Sequence, residues 1–169
     1  MSNSKLATYT AISPNRNAPR NHKIDTISIH CMAAQWTAKQ CANYFSHSDA
    51  QASSNYCVGH DGSIALSVPE SDRSWCSSSP SNDHRAITIE VASDNKSPYA
   101  VTAEAYNALI ALLADICKRN GIKKLVWKSN KADRLNRTGG ANMTVHKDFA
   151  NKACPGEWLY SRMGQIAKE

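Results

Sequence analysis

"AITIEVA", residues 86–92, sets Ile87, Ile89 and Val91 against Thr88 and Glu90. A side-chain period of two is that of a β-strand with one face in an apolar core and the other free for polar groups. The stretch therefore carries one carboxylate on its free face, near its end. Two more stretches repeat the design. "DTISIH" (25–30) sets Ile27 and Ile29 against Ser28 and His30, and "NMTVH" (142–146) sets Met143 and Val145 against Thr144 and His146. If helices cover the apolar face, His30, Glu90 and His146 all point to the opposite one.

Helical patterns separate these strands. "TAKQCANYFSH" (37–47) opens on a Thr37 cap and spaces Cys41, Tyr44 and Phe45 along one side. The clearest helix runs from Thr102 to about Asn120, stopped by Gly121, with Tyr106, Leu109, Ile110, Leu113, Ile116 and Cys117 as its apolar stripe. "SSNYCVGHDGSIALSV" (53–68) reads as two short strands around an Asp61-Gly62 turn, and "KKLVW" (123–127) as another strand. Pro155 opens a terminal helix with Leu159, Met163 and Ile166 inward. Strands alternating with helices predict an α/β single domain: a mixed central β-sheet with helices packed on one face and a groove on the other. Residues 1–24, with Pro14 and Pro19, are expected as an arm packed on a domain spanning 25–169.

With 169 residues, 41% hydrophobic and 20% charged, the chain has the composition of a soluble globular protein. No apolar run approaches the roughly 18 residues a bilayer crossing needs, so no membrane span is expected. The N-terminus lacks the apolar core of a signal peptide, which predicts synthesis in the cytoplasm. A net charge of +6 implies an anionic partner. Lys123, Lys124, Lys128, Lys131, Arg134 and Arg137, opposed only by Asp133, form either a solvated loop or a patch for a polyanion. Without a secretory signal, most of the six cysteines are expected as buried reduced thiols, Cys41 and Cys117 among them as small core residues.

Cys154 is different. In "TVHKDFANKACPG" (144–156) it follows His146 by eight residues and Lys152 by two, at the edge of a loop. A lone strand histidine is more often structural, a lone cysteine more often core, and Glu90 alone could pair with Arg85. Two histidines and a thiolate converging on one face are three ligands of the kind that catalytic zinc takes while keeping a fourth position open. Eight residues are enough for a loop to leave the strand end and fold back over a metal.

"ISIH", "ITIEV" and "VHKDFANKACPG" together resemble the zinc-dependent N-acetylmuramoyl-L-alanine amidases of the type-2 amidase and peptidoglycan-recognition superfamily, in particular the catalytic domains of phage endolysins and clostridial-type autolysins. The resemblance covers roughly residues 20–165. It implies His30, His146 and Cys154 as zinc ligands, Glu90 as the residue that activates water, and Lys152 as the stabiliser of the oxyanion. Some members use a Tyr on the strand before the Asp-Gly turn. That position falls at Ser54 here, leaving Tyr56, on the same face, as an expected groove residue, with Trp75 and His84 as further substrate-binding candidates.

The implied substrate is bacterial peptidoglycan, cut between N-acetylmuramic acid and L-alanine by a monomeric catalytic domain. The domain would act on the wall after release from the cell, with anionic wall polymers as additional partners and a wall-binding module as a possible continuation. Superfamily members that bind without cleaving typically lack the cysteine ligand, so Cys154 favours an enzyme. A cysteine nucleophile lacks a patterned Asn or Asp to orient its histidine. No aromatic-interleaved basic motif supports a nucleic-acid partner.

Overall fold

The three alternating stretches are adjacent parallel strands in a computed structural model of the protein, which describes residues 2–169. In chain order the strands are β1 Tyr9–Thr10, β2 Arg16–Asn17, β3 Thr26–Cys31, β4 Tyr56–Val58, β5 Ile64–Leu66, β6 Arg73–Ser74, β7 Ala86–Val91 and β8 Met143–Val145. The helices are α1 Ala38–Phe45, α2 Pro80–Arg85, α3 Ala103–Asn120, α4 Lys131–Leu135, α5 Gly156–Tyr160 and α6 Met163–Ile166. A mixed six-stranded sheet runs in the order β1-β5-β4-β7-β3-β8, with β4 and β5 antiparallel and the other pairings parallel; β2 and β6 form a separate antiparallel ribbon. The α/β class and mixed central sheet are as the sequence predicts.

Register decides which side chains share a face. Ile29 lies opposite Ile89 and Val145, and His30 opposite Glu90. The Ile27, Ile29, Ile87, Ile89, Met143 and Val145 face is buried under α3 together with Leu159, Met163 and Ile166. Burying a side chain of this size contributes about 1.5–3 kcal/mol, so the pattern of period two holds the sheet in register. Thr37 and Thr102 cap α1 and α3 as expected, and Gly121 ends α3 in the left-handed conformation.

Several expectations are corrected in detail. The α3 stripe is centred on Ala105, Leu109, Leu112, Leu113 and Ile116, one step round from the predicted one. "KKLVW" forms no strand: Val126 exchanges hydrogen bonds with the side chain and backbone of Asn142, and the ladder goes no further. The terminal helix is two short ones, α5 and α6, separated at Ser161 and Arg162. His146 lies just beyond β8, as the first residue of a 3₁₀ turn, His146–Asp148.

Helices occupy both faces: α1 packs Cys41, Ala42 and Phe45 on Cys57 and Ala65, covering the β4-β5 end of the groove face. The N-terminal arm is woven in, since β1 extends the sheet beside β5 and β2 pairs with β6. The basic stretch is also partly structural. Arg134 is buried in an ion pair with Asp148 at 2.6 Å, and Arg137 pairs with Asp25 at 3.3 Å, whereas Lys123, Lys124 and Lys131 are exposed. No helix among the described residues is long and apolar enough to cross a membrane.

Candidate metal centre

His30 and Glu90 end adjacent strands on the groove face. Ser28 sits two residues before His30 on that face, and its hydroxyl lies 3.0 Å from His30 Nε2. The other ring nitrogen, Nδ1, is 3.4 Å from Cys154 Sγ. One nitrogen is thus oriented by a buried hydroxyl and the other faces the thiol, the division of labour usual for a ligating histidine.

His146 is aimed by its turn. Asp148 Oδ2 accepts the Val145 N–H at 3.1 Å, and Arg134 holds the same carboxylate. Ser78 Oγ lies 2.9 Å from His146 Nε2, and the two histidine rings are 5.2 Å apart. Cys154 returns at the end of the loop after that turn. Gly156 closes the return at φ +80°, where a Cβ would come within 2.5 Å of Tyr99 Cβ, so both conformation and space require glycine.

One donor atom from each of His30, His146 and Cys154 lies within 4.8 Å of the others. Burial lowers His30 to about 3, with the His146 charge adding to it; burial and then Lys152 lower His146. Both rings are therefore neutral near pH 7, the form that binds a metal. The Cys154 thiol is held protonated by its hydrogen bond with the Cys31 thiol, and further by burial and Glu90. A cation among the donors reverses that preference.

Glu90 supplies an independent sign. Its Oε2 is buried with no hydrogen-bond partner, and its Oε1 is 3.8 Å from Cys76 Sγ. Buried polar atoms are rarely left unpaired without a functional reason. Burial pushes this carboxyl up to about 8, negative charge at Cys31 adds to the push, and the Cys76 thiol opposes it. Two imidazoles, a thiol and a free carboxylate oxygen fit zinc with an open position.

The remaining site candidates divide. Trp75, Cys76, Ser78, His146 and Lys152 line a groove of about 380 Å³. Trp75 thus lies on this groove, its Nε1 donating to Asn17 Oδ1 at 2.7 Å. Lys152 is exposed at the rim. Tyr56 is not a groove residue: it pairs with Ile89, so it points into the core, where its hydroxyl donates to Glu70 at 2.6 Å. Arg119 holds the same carboxylate, so Tyr56 belongs to a buried network under α3. Cys57, opposite Glu90, takes the groove-face position and is covered by α1.

His84 is likewise misplaced by the sequence reading. It lies in the last turn of α2, just before β7 and at the opposite end of that strand from Glu90, where its Nδ1 accepts the Asn21 N–H at 3.0 Å. Sequence reasoning missed Ser28, Ser78, Cys76 and Asp148. Ser28 could have been found by stepping two residues back from His30, and Asp148 lies inside the "HKD" turn; "SWCSSS" carries no periodic signal. A larger concavity, about 640 Å³, lies on the α3 side between Leu113, Cys117 and Ile166 and includes none of the metal donors.

Comparison with known proteins agrees with this fold. No curated protein matches the chain in sequence. A solved structure of PlyL superposes with a TM-score of 0.69 at 16% identity, covering 95% of this chain and 94% of PlyL. AmpD gives 0.69 at 16% identity, covering 99% of each chain. The endolysin N-acetylmuramoyl-L-alanine amidase LysCS from Clostridium intestinale URNW gives 0.59 at 18%, covering 89% of this chain and 88% of LysCS. At these identities the superpositions establish the shared fold. Residues 20–157 match the family described as Amidase_2, N-acetylmuramoyl-L-alanine amidase. Because that stretch covers most of its 169 residues, the chain belongs to the N-acetylmuramoyl-L-alanine amidase family.

Proposed function

We propose that the protein hydrolyses the amide bond joining N-acetylmuramic acid to L-alanine in peptidoglycan, at a zinc centre held by His30, His146 and Cys154. The observation that carries this reading is the meeting of those three donors within 4.8 Å. The unpartnered Glu90 oxygen adds to it. Zinc, when bound, supplies Lewis-acid polarisation of the scissile carbonyl and acidifies water. Glu90 takes the proton from the attacking water at its free Oε2 and delivers it to the departing amine. Such general acid–base transfer contributes about 10²- to 10⁴-fold, and a carboxyl whose pKa burial raises to about 8 suits it near neutrality.

Lys152, at the groove rim, faces the charge that develops on the carbonyl oxygen. Lys152→Ala is expected to lower kcat by about 10²- to 10³-fold in a wall-turbidity assay while leaving the zinc content unchanged. Trp75 offers a ring to the sugar or the peptide. Exposed Lys123, Lys124 and Lys131 are available to anionic wall polymers, and the enzyme acts on the wall after leaving the cytoplasm.

The test uses purified cell walls. Lysis should stop with a chelator, return with zinc, and release new L-Ala amino termini with no reducing sugar. Activity that survives chelation but is lost on alkylation would instead assign a cysteine nucleophile, for which the 3.4 Å Cys154–His30 contact is the motive. Binding to walls without cleavage would assign a recognition module.

A further inference from the structure

Cys154 has a second thiol beside it. Its Sγ lies 3.4 Å from the amide nitrogen of Cys31, the residue that follows the His30 donor. The N–Cα bond of about 1.46 Å then puts that sulfur within about 4.9 Å of the Cys31 Cα. Both thiols are free. A disulfide brings the two sulfurs to about 2.05 Å, so the Cys31 side chain has only to turn toward a sulfur already beside its own backbone. Both residues are partly exposed, unlike Cys41 and Cys57, which are sealed under α1.

We propose that Cys31 and Cys154 form a reversible disulfide with small disulfide oxidants, and that this bond switches the enzyme off by removing the Cys154 metal donor. The exchange balances without a further reagent. A thiolate of the pair attacks one sulfur of the oxidant, forming a mixed disulfide and releasing one small thiol. The second protein thiolate attacks the bonded protein sulfur and releases the other small thiol. Two protein sulfurs are oxidised, the two sulfurs of the oxidant are reduced, and the two protein protons leave with the released thiols or to solvent. A disulfide-bonded Cys154 has no thiolate to donate. The bond itself stands on geometry, whereas its effect on activity rests on the metal reading above.

The experiment treats the purified zinc-loaded protein with oxidised glutathione and maps tryptic peptides without reduction. Expected is a linked pair, Ile24–Lys39 with Ala153–Arg162, lighter by two hydrogens than the sum of the reduced peptides. Zinc release to a chromogenic chelator and loss of wall lysis should accompany it, and all three should reverse with dithiothreitol. Cys31→Ser keeps the backbone N–H that faces Cys154, so it should retain zinc and activity through the same treatment. Cys31→Val serves the same purpose if the serine disturbs the core edge. Absence of the linked pair overturns the proposal but leaves the metal reading intact. Linkage with zinc and activity unchanged overturns both.

Discussion

Glu90→Gln is expected to abolish most wall lysis, by about 10²- to 10⁴-fold, while making the metal-free protein more stable at neutral and alkaline pH. The two effects have one cause. The folded protein holds the Glu90 proton up to about pH 8, whereas the unfolded chain releases it near 4.5. Stability is therefore full below about pH 4.5 and is lost progressively as pH rises toward 8. At pH 7 the loss is on the order of 3 kcal/mol, since each pH unit in that window costs about 1.4 kcal/mol. Gln keeps the shape and cannot ionise. Thermal melts of the metal-free proteins should coincide near pH 4 and diverge by pH 8, with Glu90→Gln the higher. A difference that did not vary with pH would contradict this. Stability gained at the expense of activity is what a carboxyl kept for proton transfer in a buried site predicts.

The second large effect lies at a residue that touches no substrate. Asp148→Ala is expected to cost about 3–5 kcal/mol, because it strands the Arg134 charge, whose side chain is only 2% exposed. In a chain of this length that lowers Tm by on the order of 10 °C. It also removes the acceptor for the Val145 N–H that sets the turn carrying His146. Zinc affinity should therefore fall even under conditions where the variant stays folded. Asp148→Asn, which keeps an acceptor oxygen, should recover the metal affinity better than the stability. Equal recovery of both would assign the residue to stability alone.

These residues also mark where sequence reasoning reaches. Period-two alternation identifies β3, β7 and β8 because each has one face in the core, and that same alternation points His30 and Glu90 at the groove. The motif around His146 and Cys154 is legible because loop length and donor type are both local properties. Tyr56 fails because β4 is only three residues long, and all three, Tyr56, Cys57 and Val58, are buried. With core on one side and α1 on the other, alternation leaves no polar mark of the face. "KKLVW" fails for the converse reason. Its composition favours a strand, yet its neighbour β8 has only three residues, and Asn142 satisfies Val126 in place of a ladder. Ser78 and Cys76 come to the centre through pairings between distant segments, which no local pattern encodes.

The central claim, that His30, His146 and Cys154 together hold a zinc ion, is tested most directly by metal content. Wild-type protein dialysed against trace zinc should carry roughly one zinc per chain, as a three-ligand site with an open position predicts. Cys154→Ala and His146→Ala, each with an unchanged circular-dichroism spectrum, should carry almost none. Folded variants that keep the wild-type zinc would contradict the account.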